Sequence, residues 1–555
     1  MRINDTLMIG FVVSVAALVF MITPHAAPVK TGFILAAPDR GFMGNSETQD
    51  AFIALDETYP AELVFVTDER GRDYFDAAVE RLKREGASNI IVLPLYLSDA
   101  HPDFRTLQTY MSSAEIPVKL GRIFGQSVAA PIVLADRLRA LPGESESVVI
   151  TGATMEKAID AKAMQADLER IAAAVQAEFP QMKISSAVWS EENGGMEAGL
   201  KNLPEGTTAV PFHFSSKLDS MMAYTAYLQY AAPDGVTVID SEITPHPAVG
   251  AWLQREAARN VAVPDEKIGV VVHAHGSDFQ WNETMRKAAA PLAENYLVEY
   301  AFSMGDPPTL ARAIERLEER GAKAAVIVRV FGLERSFSDG TDRFIGSDFE
   351  NCAASANASH GHHGGGHGAA SSRLLTSLPV ISVGGLEDHR YFAEALLDRA
   401  QNISEDPAKE TIILVSHGVG DEAGNEYWLT LLESLRAQML EKGGDEFRGI
   451  QVATWREDWP DKRVAAIGHI RGLIEAAQAN GGRALLVPAR TTDTGNAREL
   501  IPDMEYALAS GFAPHPLFVR WLEEQVSLGI ESLQSMQSTA LRCESPEATD
   551  HHAGH

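Results

Sequence analysis

The sequence predicts an α/β protein of four lobes, each a parallel sheet flanked by helices, arranged as two bilobal units. Three observations carry that expectation. From residue 30 onward short apolar runs alternate with longer helical stretches, which is how βαβ units read. The chain also repeats itself at long range. Finally, two apolar runs end in a His-Gly pair: KIGVVVHAHGS at 267–277 and TIILVSHGVG at 411–420. A β-forming run stopped by glycine reads as a buried parallel strand turning into a helix. Open α/β sheets place their ligand crevices at that carboxyl end.

In chain order, the first lobe (30–143) gives strands at 31–36, 61–66 and 89–95, with helices at 46–58 and 73–85. It closes with a strand near Val118 and a helix at 129–141. The second lobe (144–262) follows the same plan, with segments at 148–151, 161–179, 183–189, 208–214, 236–239 and 247–260. The third (266–400) runs from Ile268 through the apolar run at 326–330. It carries a His-rich insert at 352–372. The fourth (408–535) runs from Thr411 through the run at 484–488, and residues 536–555 form a tail.

The repeats fix the pairing of lobes. Val79-Glu80-Arg81-Leu82 matches Ile314-Glu315-Arg316-Leu317, and Gly86-Ala87 matches Gly321-Ala322, both at an offset of 235 residues. Pro245-His246-Pro247 with Trp252-Leu253 matches Pro514-His515-Pro516 with Trp521-Leu522, with six residues from His to Trp in each. The order is therefore A-B-A′-B′.

Composition sets the outer limits. At 555 residues the chain exceeds one core, and 45% apolar with 22% charged residues is ordinary globular composition. A net charge of −29 without a basic cluster argues against a nucleic-acid partner. It favours solubility and a mild attraction for cations. Arg2 and the apolar run 7–22 read as an export signal or inner-membrane anchor in residues 1–29, which places the rest in or facing the periplasm. Cys352 and Cys543 define no disulfide framework. There is no GxxxxGK[ST] loop and no well-placed GxGxxG, so no nucleotide is expected. Ser277 lacks the G-x-S-x-G elbow of a hydrolase.

Histidines dominate the remaining signals. The stretch 351–372 carries Cys352, His360, His362, His363 and His367 among glycine, alanine and serine, a composition that packs no core and suits capture of Ni²⁺, Co²⁺, Cu²⁺ or Zn²⁺. The tail repeats the theme with Cys543, His551, His552 and His555. His246, His389 and His515 stand beside prolines or acids at helix starts, where a capping role is expected.

These motifs, in their order, resemble the sirohydrochlorin cobaltochelatase and ferrochelatase family, the class II, ATP-independent chelatases. The opening motif of that family stands as His275-Gly276-Ser277 and in part as His417-Gly418-Val419. Its third-strand motif stands as Leu93-Pro94-Leu95, Val210-Pro211-Phe212 and Val487-Pro488-Ala489, and its closing motif as His246-Pro247 and His515-Pro516. The first lobe opens with Ala36-Ala37-Pro38-Asp39 and the second with Gly152-Ala153-Thr154 where His-Gly-Ser belongs.

The resemblance implies chelatase-like lobes that insert a divalent metal, Co²⁺ first with Ni²⁺ or Fe²⁺ as alternatives, into a sirohydrochlorin-type tetrapyrrole. It implies His275 as metal ligand and base, His417 facing it across the cleft of the second unit, and His101 serving the first unit. Gly276, Ser277 and Gly418 would line the ring site, the glycines letting the chain turn tightly beside a bulky ligand. Imidazole, with a pKa near 6.5, suits both metal binding and proton acceptance. The alternative is a noncatalytic, exported metal- or tetrapyrrole-binding protein on the same fold.

Overall fold

The computed structural model describes residues 30–535 apart from 115, 142, 144, 215–223, 240–241 and 352–372. The first lobe runs β1 (Thr31–Pro38), α1 (Gly41–Thr58), β2 (Ala61–Val66), α2 (Glu69–Arg84), β3 (Asn89–Pro94), α3 (Pro102–Ser112), β4 (Val118–Leu120) and α4 (Ala129–Arg139). The second runs β5 (Ser147–Thr151), α5 (Ala158–Gln176), β6 (Lys183–Ala187), α6 (Gly195–Lys201), β7 (Thr208–Pro211), α7 (Tyr224–Ala231), β8 (Thr237–Val238) and α8 (Pro247–Arg259). The third runs β9 (Ile268–Ala274), α9 (Phe279–Ala289), β10 (Leu297–Phe302), α10 (Pro307–Glu319), β11 (Ala324–Val330), α11 (Ser338–Ile345), α12 (Ser347–Glu350), β12 (Val380–Gly384) and α13 (Arg390–Ile403). The fourth runs β13 (Glu410–Ser416), α14 (Glu422–Glu441), β14 (Gly449–Thr454), α15 (Pro460–Gln478), β15 (Arg483–Pro488), α16 (Ala497–Leu500), β16 (Ala507–Leu508) and α17 (Pro516–Ser535).

Each lobe holds one four-stranded sheet, and the strand order is the same four times: second, first, third, fourth. Every pairing is parallel. The expected α/β class with parallel sheets flanked by helices is therefore observed. The first strand of each lobe lies centrally, and β1, β9 and β13 are buried along their whole length. That is why they read as unbroken apolar runs rather than as alternation.

Local chemistry moves one boundary. The helix expected from 46 begins at Gly41, because Asp39 accepts from the Gly41 N–H (3.0 Å) and from the Asn45 amide (2.9 Å), while Asn45 accepts from the Arg40 N–H (2.9 Å). These bonds satisfy the turn that a Gly-Phe-Met-Gly sequence does not announce.

The lobes of each pair share a core. One apolar cluster joins Phe33, Leu35 and Leu93 of the first lobe to Ile150, Val210 and Trp252 of the second. Another joins Val270, Val326 and Leu396 of the third to Leu414, Val487 and Trp521 of the fourth. In both pairs the closing helices cross over. α4 packs on α5 and α8 on α1; α13 packs on α14, and α17 lies on β11 and β12 of the third lobe.

The pairs are joined at Glu350, the last residue of α12. It accepts from the Val128 N–H (3.1 Å) and pairs with Arg122 (2.9 Å), Arg255 (3.6 Å) and Arg259, all buried. Burial alone would raise its carboxyl, but Arg255, Arg259 and Arg122 overcome this and hold it well below the usual carboxylate range. Beside it Arg170 stacks over Phe349, 4.0 Å from the ring centroid.

Candidate functional site

The two His-Gly motifs stand at the carboxyl tips of β9 and β13, one residue past each strand. Gly276 and Gly418 have φ of +76° and +72°. A Cβ on Gly276 would lie 2.8 Å from the Phe302 side chain, and one on Gly418 would lie 2.7 Å from that of Thr454. Both positions need glycine for backbone angle and for space.

The tight turn sets the imidazole. His275 Nδ1 lies 2.6 Å from the Gly276 carbonyl and His417 Nδ1 lies 2.8 Å from that of Gly418. A carbonyl only accepts, so Nδ1 carries a proton in each ring. His275 is exposed, as is Ser277, whose N–H donates to Asn282 (3.1 Å). Asp278 caps α9 by accepting from the Trp281 N–H (2.8 Å), which fixes the loop from its far side.

His417 has neighbours of opposite charge. Its Nε2 lies 3.0 Å from Asp458 and 3.7 Å from Glu457, and its ring meets Trp459 edge-on at 5.6 Å. Glu457 is buried and Arg490 stands 3.2 Å from the same oxygen that faces His417. With Nδ1–H committed to a carbonyl, Nε2 is left facing the two carboxylates. Nearby Arg456, at φ +50°, donates to the Val419 carbonyl (2.8 Å), and with Lys462 it holds Glu422 down to about 2. The tip of the fourth lobe is thus a charged frame around one imidazole.

His275 and His417 each make the bonds described above within their own lobe. The lobes meet elsewhere: the Tyr427 hydroxyl donates to Glu387 (2.9 Å), and Arg335 lies 5.0 Å from the Tyr427 ring. Among the described residues no group of three or more His, Cys, Asp or Glu is arranged to hold a metal ion.

His101 is corrected. It is the N-cap of α3, its Nδ1 accepting from the Asp103 N–H (3.2 Å) and its ring set 5.4 Å from that of Tyr96. Burial first, then the charges of Arg40 and Arg105, push its ring down to about 3. A neutral ring whose Nδ1 lone pair is taken by a helix terminus is a structural group. His246, His389 and His515 are N-caps as expected, through Nδ1 bonds to the N–H of Ala248 (3.1 Å), Tyr391 (3.2 Å) and Leu517 (3.2 Å). His246 and His515 also face Asp136 and Asp398, each at 3.3 Å.

The structure adds groups that sequence reading missed. Glu457 and Asp458 follow β14 and reach His417 only through the sheet register, Ser416 pairing with Thr454. His213, just past β7, is buried with Nδ1 2.9 Å from the Phe214 carbonyl and Nε2 3.3 Å from Thr225; burial pushes it down to about 4. His273 is wholly buried in β9. Cys352, His360, His362, His363, His367, His551, His552 and His555, together with the signal or anchor at 1–29, lie outside the described residues. No helix among the described residues is long and apolar enough to cross a membrane.

No family model and no curated protein matches the chain. Solved structures do, two of them as follows. The crystal structure of the sirohydrochlorin chelatase SirB from Bacillus subtilis subspecies spizizenii in complex with cobalt matches at 19% identity and a TM-score of 0.29, covering 40% of this chain and 91% of that one. SirB from Bacillus subtilis with Fe3+ matches at 17% identity and a TM-score of 0.30, covering 40% of this chain and 93% of that one.

Proposed function

We propose that the protein is an ATP-independent, chelatase-like enzyme that takes a divalent metal, Co²⁺ first, at the strand tips of its second unit and inserts it into a sirohydrochlorin-type tetrapyrrole. The observation that carries this reading is the pair of tip imidazoles, each with Nδ1 tied to the next carbonyl, His275 exposed and His417 with Nε2 against Asp458 and Glu457. Insertion needs a ligand that holds the metal without trapping it and a base for the pyrrole protons. In this reading His417, with Asp458 and Glu457 beside it, receives the metal substrate, and an incomplete ligand set there favours release. Exposed His275 serves as a second metal ligand and as the base that accepts a pyrrole proton. The first unit is a scaffold, since its His101 is a half-buried helix cap and its His213 is buried and engaged. The tracts around 352–372 and 551–555 collect metal, and the leader at 1–29 delivers the protein to the periplasmic side.

The test is a mixture of purified protein, sirohydrochlorin and Co²⁺ followed by visible absorption. Turnover beyond one equivalent is expected, and it is lost in His275→Ala and His417→Ala. Deleting 352–372 only raises the Co²⁺ concentration needed. Stoichiometric binding without turnover assigns the protein to noncatalytic metal or tetrapyrrole binding instead. If the deletion stops the reaction at saturating Co²⁺, the tract and not the strand tips carries the chemistry.

A further inference from the structure

His273 is a buried polar group that the fold does not satisfy. It is 0% exposed, and neither ring nitrogen has a hydrogen-bond partner of good geometry. Burial pushes the ring down to about 4, and the backbone of Ser303 offsets only part of that. Buried polar atoms are almost always paired, so an orphaned imidazole in a central strand calls for a physical explanation. Its position supplies one. His273 lies in β9 and His275 one residue past its end, the two separated by Ala274, a spacing at which side chains of an extended chain leave on the same side.

Against the His273 ring packs the loop 331–337, between β11 and α11. Phe331 meets the imidazole edge-on at 5.0 Å, Phe337 stands 6.5 Å away, and the two phenyl rings are 4.8 Å apart. Phe337 holds φ +59°, a left-handed conformation that a bulky side chain adopts only under constraint. The constraint is visible. Arg329, beside His273 in the sheet register, donates to the carbonyls of Glu334 and Ser336 (3.0 Å for the latter). Glu387, itself at φ +45°, accepts from the Glu334 N–H (2.5 Å) and from Tyr427 (2.9 Å). The loop is thus strained, pinned by polar bonds, and laid over an unsatisfied ligand.

We propose that His273 and His275 form a two-imidazole site for a borderline divalent cation, concealed in this conformation and completed when the 331–337 loop swings off His273. Two neutral imidazoles from alternate strand positions suit Co²⁺, Ni²⁺ or Zn²⁺ better than Mg²⁺ or Ca²⁺. Release of the Phe337 strain and pairing of an orphaned nitrogen both favour the open, metal-bound state. The inference rests on reading His275 as a metal-handling residue and adds a second ligand and a gate to it.

Hydrogen exchange read by mass spectrometry on the full-length protein, with and without Co²⁺, tests this segment by segment, so metal held by the His-rich tracts does not obscure it. Co²⁺ is expected to raise exchange across 331–337 at least tenfold in the wild type, and Mg²⁺ to leave it unchanged. His273→Phe, which keeps the packing and removes the ligand, and His275→Ala should each abolish the response. An unchanged loop in the wild type overturns the proposal, as does a response that survives in His273→Phe. If the loop is silent while His275→Ala still abolishes metal insertion, only the two-imidazole site fails and the functional reading stands. If insertion is absent but the loop responds, the reverse holds.

Discussion

The strand tips of the first unit and those of the second are built on the same sheet order, yet they hold histidine in opposite states. In the first unit His101 is half-buried and His213 buried, both bonded to local backbone and neutral, with the charge of Arg40 acting against protonation of both. In the second unit His275 is exposed, and His417 lies against Asp458 and Glu457. A repeated fold therefore does not repeat a site. Burial and a cation beside an imidazole disfavour a second positive charge, while solvent and carboxylates favour one, whether proton or metal. The same sheet order thus carries carboxylates beside a tip imidazole in one unit and capping or buried imidazoles in the other.

The largest expected effect tests whether that contrast depends on how the units dock. Glu350→Ala leaves Arg122, Arg255 and Arg259 buried without their carboxylate and should cost about 3–5 kcal/mol, read as a lower denaturant midpoint. If the two tips are independent, the variant keeps the Co²⁺ affinity of the second unit in conditions where it remains folded.

Next is acid. The folded values of His101, about 3, and His213, about 4, lie below the unfolded 6.5, so the folded state binds fewer protons. Their contribution is complete above pH 6.5, falls as pH drops through 6.5 towards 4 and then 3, and is constant below. At ~1.4 kcal/mol per pH unit, the shift corresponds to about 5 kcal/mol for His101 and about 3–4 kcal/mol for His213 over that window. Urea midpoints at pH 7, 5.5 and 4.5 measure it, and exchange in segments 96–112 and 208–214 should rise before that of β13. Equal loosening of both units would break the comparison.

A smaller effect sharpens the second unit alone. Asp458→Asn keeps the shape of the His417 frame and removes a charge, so Co²⁺ affinity there should fall about 10–100-fold in a competition titration with a chromophoric chelator. The smallest concerns the correction. His101→Ala should cost about 1 kcal/mol through loss of the α3 cap, with His101→Asn restoring most of it, and neither should alter metal insertion.

Part of this contrast is legible in the sequence. The tip glycines announce themselves because a His-Gly pair after an apolar run is a local backbone requirement. The caps at His246 and His515 are legible from His-Pro at a helix start. His101-Pro102 carries the same local pattern, so its capping role is as much a property of adjacent residues as theirs, and the family resemblance outweighed it wrongly. Glu457 and Asp458 give no such signal, being some 40 residues from His417 and brought near only by the β13–β14 register.

By itself, then, the sequence determined what depends on neighbours a few residues apart: the strand–helix alternation, the repeat, the left-handed turns at Gly276 and Gly418. Those follow from backbone sterics and apolar periodicity, which act locally. Only the tertiary structure decided which imidazoles are exposed, which are capped, and which carboxylates stand within 4 Å of them. Burial and Coulomb interactions depend on distance in space, and parallel strands joined by helical crossovers bring together residues that the chain keeps far apart.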